Sequence, residues 1–149
     1  MIELADERIK KSMQTMLNAG RGNPNWIATQ PREAFFILGK FGLEECRRVH
    51  DREDGIAGIP QKEGIAKRFE QFLKENKSTP GCTLLADCYR YMIDEHRVDA
   101  DELVHEWAEC VIGDQYPVPD RILKFTEIAV RDYLAQELCG GRPPQGDFD

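Results

Sequence analysis

The chain has 149 residues, of which 41% are hydrophobic and 32% charged, a balance typical of one globular domain with its own core. Its net charge of −7 argues against nucleic acid or an anionic membrane as the main partner, because both attract clustered positive charge. No apolar run is long enough to span a membrane, and residues 1–16 lack the apolar stretch of a signal peptide. The composition therefore favours a soluble, cytoplasmic protein.

The cysteines and histidines give no metal-binding pattern. The five cysteines are odd in number and have neither C-x-x-C pairs nor zinc-like spacing, which predicts reduced thiols. His105 and Glu109 lie one helical turn apart, which suits two metal ligands, but no third ligand accompanies them. We therefore interpret this pair as part of a solvated helix face and predict no metal site.

Apolar residues recur at helical spacing along most of the chain, whereas the alternation typical of strands is nearly absent. The sequence therefore predicts an all-α fold, a compact helical domain of about five to six helices with irregular Gly/Pro loops. The segments are about 2–17, from Pro31 to about 49, about 65–73, about 84–93, from Asp99 to about 111, and about 119–138.

Several of these helices have an expected apolar face or an expected end. Asp99 is a good N-cap, with Glu102 three residues later in a capping-box-like pair. The neighbouring acids Glu44 and Glu45 are expected on an exposed surface. The apolar face of the second helix would use Ala34, Phe35, Leu38, Phe41, Cys46 and Val49. The last helix has the clearest stripe, with Ile122, Phe125, Ala129, Val130, Tyr133, Leu134 and Leu138.

The loop after the first predicted helix, Ala19-Gly20-Arg21-Gly22-Asn23-Pro24-Asn25-Trp26, has an unusual composition. Glycine permits backbone conformations with positive φ, and proline restricts both itself and the residue before it. The loop should therefore present the Arg21 guanidinium, a planar group that can grip a carboxylate or phosphate with two hydrogen bonds. Asn23 could donate to the same ligand or simply shape the turn. Trp26 is best interpreted as a packing anchor.

Four blocks in the chain resemble aspartate 4-decarboxylase, a fold-type I, aminotransferase-like enzyme family that depends on pyridoxal phosphate (PLP). They occur in the same order as in that family and extend from Leu17 to the end of the chain. The blocks are Leu17–Phe36, Gly55–Ile59 leading to Gly64–Phe72, Gly113–Pro119 and Gly141–Asp149.

The resemblance implies an accessory or lid domain and a separate cofactor domain. In this family the Gly-Arg-Pro-Pro segment leads into the PLP-binding domain, so we expect a helical domain over 1–139 and a Gly/Pro-rich linker over 140–149. PLP would be bound by that large domain, in cis or in trans, and not by this chain alone. By resemblance, Arg21 would lie at the entrance to the PLP pocket and act as a carboxylate gate, with Asn23 beside it as a substrate-binding residue.

Other interpretations stay open at this stage. The chain could be a docking module that precedes a PLP-dependent carbon–sulfur lyase in a polyketide or peptide assembly line. It could also be a free-standing protein that binds a carboxylated small molecule through Arg21. An isolated lid would expose the face that it normally buries, so we also expect homo-oligomers.

Overall fold

The computed structural model describes residues 28–53, 57–113, 123–137 and 139–141. They form five helices and, within these ranges, no strand, which confirms the predicted all-α fold. The helices are α1 (Thr29–His50), α2 (Ile65–Glu75), α3 (Cys82–Asp94), α4 (Ala100–Ile112) and α5 (Lys124–Glu137). The predicted helix over 2–17 lies outside the described residues, as do Trp26 and Ile122. No helix in the described ranges is long and apolar enough to cross a membrane.

The core is organised around the ring of Phe69 on α2, which is completely buried. Its centroid lies 4.9 Å from that of Phe41 on α1 and 5.5 Å from that of Tyr89 on α3. Trp107 on α4 packs against it edge-on at 6.3 Å. One aromatic side chain therefore connects four helices, in the edge-to-face geometry that aromatic rings favour.

Helix α1 begins at Thr29, two residues before the predicted start, and Pro31 lies in its first turn as expected. Ala34, Phe41 and Val49 are buried as predicted, and Ile37 joins them. The assignment of Phe35 to the apolar face was wrong, because 58% of its surface is exposed. Phe35 follows directly on the buried Ala34, so it lies about 100° further round the helix.

Helix α5 departs most from the prediction. Phe125 is buried and Ile128 and Ala129 pack partly against the core, but Val130, Tyr133 and Leu134 remain exposed. The prediction that the apolar residues of this helix face the core was therefore correct for its first half and wrong for Val130, Tyr133 and Leu134. The described helix starts at Lys124, and residues 114–122, which include the predicted start at Pro119, lie outside the described residues.

The second turn of α1 is held against the start of α3 by a very close approach at Gly81. This glycine has φ of +83°, and a Cβ placed on it would overlap the backbone of Glu33 and Ala34. Only glycine satisfies both conditions, because it has no side chain and accepts positive φ without strain. Gly81 therefore fixes the N-terminal part of α1 against α3.

We predict that Gly81→Ala destabilises the chain by about 4 kcal/mol, since backbone overlap adds to left-handed strain. Gly113→Ala is the matched control, because Gly113 also has φ of +83° but a Cβ added there would meet no described atom within 4 Å. The free energy of unfolding of that variant should fall by only about 1 kcal/mol. Urea denaturation measures both, and equal losses would show that the contact with α1 is not tight.

Candidate functional site

The two residues predicted to bind substrate, Arg21 and Asn23, lie outside the described residues, so their role stays a prediction. The structure does describe the helix into which their loop leads. Arg32 Nη1 donates to the carbonyl oxygen of Ala28 at 3.4 Å, and Gly81 packs against Glu33 and Ala34 in the following turn. Arg21 and Asn23 are therefore followed in the sequence by a helix that contacts the start of α3 in its second turn.

A buried carboxylate, Glu45, forms the strongest polar cluster in the described residues. Arg68 of α2 donates to it through Nε at 2.9 and 3.0 Å and through Nη2 at 2.8 Å. Arg48, one turn along α1, adds bonds from Nε and Nη2 of 3.0 to 3.3 Å. Only 4% of Glu45 is exposed, so both oxygens are held by guanidinium groups away from water. We call Glu45, Arg48 and Arg68 the Glu45 clamp.

The Glu45 clamp is built for structure, because Arg68 is also engaged with the connection between the helices. Arg68 donates from Nη1 to the carbonyl of Glu63 at 2.8 Å and from Nη2 to that of Gln61 at 2.9 Å. With these partners the Arg68 guanidinium has no free edge for a ligand carboxylate. The cluster therefore joins α1, α2 and their connection.

The expectation that Glu44 and Glu45 are both exposed was wrong for Glu45. Glu45 lies four residues after Phe41 and four before Val49, so it falls on the buried face of α1. The position of an acidic residue on the apolar face of a predicted helix was therefore enough to indicate that Glu45 is buried. Its partner could not be found in the same way, because Arg68 lies 23 residues away.

Helix α4 provides carboxylates to the N-termini of two other helices. Asp101 accepts hydrogen bonds from the amides of Gly64 and Ala66, both at 2.9 Å, at the start of α2. Glu106 accepts from the amide of Phe125 at 3.1 Å, at the start of α5. Carboxylates at these positions satisfy free amides and match the helix dipole. Asp99 caps α4 itself through the amide of Glu102 at 2.9 Å, as predicted.

Hydrogen bonding also sets the pKa of Asp101. The bond from the Ala66 amide, supported by the Gly64 amide and by nearby Arg68 and Lys62, lowers this pKa, although partial burial opposes the shift. At neutral pH, Asp101 is therefore ionised and engaged with α2. It is not a candidate general base.

His105 and Glu109 are less exposed than predicted and hold no metal-binding arrangement. His105 Nε2 lies 3.0 Å from the carbonyl oxygen of Pro60, and its Nδ1 lies 3.4 Å from Glu109. Across the described ranges, no group of three or more His, Cys, Asp or Glu residues is placed to hold a metal. This pair therefore fastens α4 to the segment before α2.

A second polar cluster joins the end of α3 to α5. The Tyr91 hydroxyl donates to Asp132, and His96 Nε2 lies 3.6 Å from the same carboxylate. That nitrogen is buried and has no hydrogen-bond partner among the described residues. The bond from Tyr91, with those from Gln136, lowers the pKa of Asp132, and it raises the pKa of Tyr91 to about 12. The phenol therefore stays protonated at neutral pH.

Three of the cysteine thiols are held in an unreactive form. Burial raises the pKa of the Cys82, Cys88 and Cys110 thiols, which favours the unreactive protonated form. The six described lysines, Lys40, Lys62, Lys67, Lys74, Lys77 and Lys124, are all exposed, whereas a lysine that binds PLP lies within a pocket. The fold and these clusters define an all-α domain that is stabilised by carboxylate clamps and caps.

No protein-family model matches this chain. The chain is, however, 40% identical to a bifunctional aspartate aminotransferase and L-aspartate beta-decarboxylase from a Pseudomonas species, over 99% of its own length. The match confirms the resemblance to the N-terminal part of aspartate decarboxylases. The chain spans 29% of the length of that relative.

We predict that Glu45→Gln destabilises the chain by about 2 kcal/mol, because it removes the shared counter-charge of Arg48 and Arg68, whose side chains are only partly buried. The matched control is Glu44→Gln, since Glu44 is the next residue, is exposed and pairs only loosely with Lys40 at 4.0 Å. That change should cost less than about 0.5 kcal/mol. Chemical denaturation measures both, and similar losses would contradict the structural role of the clamp.

We predict that Asp101→Asn lowers stability at pH 7 by about 1 kcal/mol, as expected for the loss of a charged helix cap. Because folding lowers the pKa of Asp101, its contribution is full above the unfolded pKa of about 3.9 and disappears as the pH falls through the folded value. The gap between wild type and variant should therefore narrow below about pH 4. Denaturation curves from pH 7 to pH 3 measure this gap, and a gap of constant size would contradict the prediction. Asp87→Asn, which removes an exposed carboxylate on α3, controls for the change in net charge.

Proposed function

We propose that this chain is the N-terminal accessory or lid domain of a PLP-dependent enzyme of the aspartate 4-decarboxylase type. The observation that carries the proposal is the 40% identity over 99% of the chain to the N-terminal part of an aspartate aminotransferase and beta-decarboxylase. The described clusters are in keeping with it, because their contacts join the helices of the domain to one another. PLP would be bound by a larger cofactor domain, in cis or in trans.

Within this proposal, Arg21 acts as the carboxylate gate and Asn23 assists it. A guanidinium binds a carboxylate through two parallel, charge-assisted hydrogen bonds, which give both affinity and orientation. L-aspartate has two carboxylates, so an arginine at the pocket entrance can hold one while chemistry takes place at the other. The N-terminal part of α1, which Gly81 contacts at Glu33 and Ala34, would provide a fixed end for the gate segment. The alternative, a docking module before a carbon–sulfur lyase, has no observation of its own in its favour.

The test is a chimera of the Pseudomonas enzyme in which this chain replaces the matched N-terminal part. We expect the chimera to retain PLP and to decarboxylate L-aspartate. The isolated chain, treated with PLP and borohydride, should gain no covalent adduct by mass spectrometry. A stoichiometric adduct on one lysine would overturn the accessory role, and so would a folded chimera that lacks both PLP and activity.

In this chimera, we predict that Arg21→Ala lowers kcat/KM for L-aspartate roughly 10- to 100-fold, the value of a lost charge-assisted hydrogen bond. Arg21→Lys should restore only part of the loss, since an ammonium cannot form the two-bond contact. Asn23→Ala should have a smaller effect. Arg90→Ala, which removes an exposed arginine on α3, is the control and should leave kcat/KM unchanged. If Arg21→Ala matches this control, Arg21 is not the gate.

A further inference from the structure

Helix α1 exposes large apolar side chains on the side opposite the core. The exposed fraction is 70% for Phe36, 58% for Phe35 and 52% for Leu43. Phe36 and Leu43 are seven residues apart, so they lie on one face, and Phe35 flanks them. The other side of the same helix buries Ala34, Ile37 and Phe41. The exposed side chains therefore stand on a firmly anchored helix.

These residues form the α1 face, which we define as Phe35, Phe36, Gly39 and Leu43. A phenylalanine buries roughly 200 Å² when it is fully covered, so the face leaves a few hundred Å² of apolar surface in water. One edge is charged, with Lys40 and Glu44 4.0 Å apart. An apolar centre with a charged edge is typical of a protein interface.

Gly39 gives an independent indication of a partner. Among the described residues, a Cβ on Gly39 would meet only a methyl group of Val111 at 3.6 Å, which is ordinary contact, so this packing does not require glycine. Gly42 differs, because a Cβ there would approach methyl groups of Val111 and Ile112 at 2.9 Å. Glycine within a helix is destabilising relative to alanine. Gly39 thus leaves a notch between Phe36 and Leu43 that the described residues do not use.

We propose that the α1 face is the surface on which the PLP-binding part of the enzyme docks, an inference that rests on the proposed function. The chain matches only 29% of its Pseudomonas relative, so most of such an enzyme lies beyond this domain and has to contact it. Phe35 and Phe36 also belong to the block resembling aspartate decarboxylases that contains Arg21. A second copy is disfavoured as the occupant, because two chains of net charge −7 repel each other.

The first experiment replaces the two exposed rings with Phe35→Ser/Phe36→Ser. In the isolated chain this pair should leave the unfolding midpoint nearly unchanged, because neither ring contributes to the core. In the chimera it should uncouple the two parts. We expect one cooperative calorimetric transition to separate into two, and proteolysis at residues 140–149 to become at least tenfold faster. Tyr133→Ser/Leu134→Ser, a neighbouring pair of exposed apolar side chains on α5, is the matched control.

The second variant, Gly39→Ala, should stabilise the isolated chain but weaken the contact between the two parts of the chimera. In the isolated chain it should raise the unfolding midpoint, because alanine is the better helix former and meets only ordinary contact. In the chimera it should fill the notch and lower the temperature at which the two parts separate. A residue with a purely internal role would shift both midpoints in the same direction.

The outcomes separate this inference from the proposed function. If the unmodified chimera retains PLP and activity but the α1 variants behave like the wild type, the docking surface is wrong and the proposed function stands. The same holds if the α5 control uncouples the parts equally well. If the isolated chain is a dimer that Phe35→Ser/Phe36→Ser dissociates while the chimera is unaffected, the occupant is a second copy. If the folded unmodified chimera lacks PLP and activity, the proposed function itself fails.

Discussion

The carboxylate of Glu45 is the constraint on which the arrangement of α1 and α2 depends. It is the one buried charged residue in the described ranges, and an unpaired charge in that position would cost several kcal/mol. Its partner Arg68 has to reach it across the interface between the helices, and Arg68 at the same time holds the carbonyl oxygens of Gln61 and Glu63. Two helices and their connection are therefore fixed together. The aromatic contact of Phe41 with Phe69 joins the same two helices.

Helix α2 shows that the domain is stabilised mainly by tertiary contacts. It has 11 residues and its N-cap residue is Gly64, which provides no side-chain cap, so it would be marginal as an isolated helix. Its cap comes from Asp101 of α4, 35 residues away from Ala66 in the sequence. Glu106 of α4 does the same for α5. Helix α4 thus organises its neighbours through carboxylates, while its own start depends on the local cap at Asp99.

The sequence was sufficient for features that depend on local pattern. The fold class, the Asp99 cap and the buried positions Ala34, Phe41 and Val49 follow from residue spacing. The sequence failed where an amphipathic pattern was assumed to face the core of this same chain, as with Phe35 and the second half of the α5 stripe. Periodicity shows that a helix has an apolar side but not what covers it. Clamps between distant residues, such as Glu45 with Arg68, depend on tertiary pairing and have no signature in spacing.

Helix α1 has a buried apolar side and an exposed apolar side, and an accessory domain needs both. Its buried side is fixed by Phe41, by the Glu45 clamp and by the approach of Gly81 to Glu33 and Ala34, so the helix keeps its position without a partner. A guanidinium that has to meet a carboxylate through two hydrogen bonds tolerates little displacement. An arginine on a loop can satisfy that demand only when the loop leads into a rigid element. The tightly packed start of α1 is such an element, and the exposed rings next to it offer a means of aligning that element with a second domain.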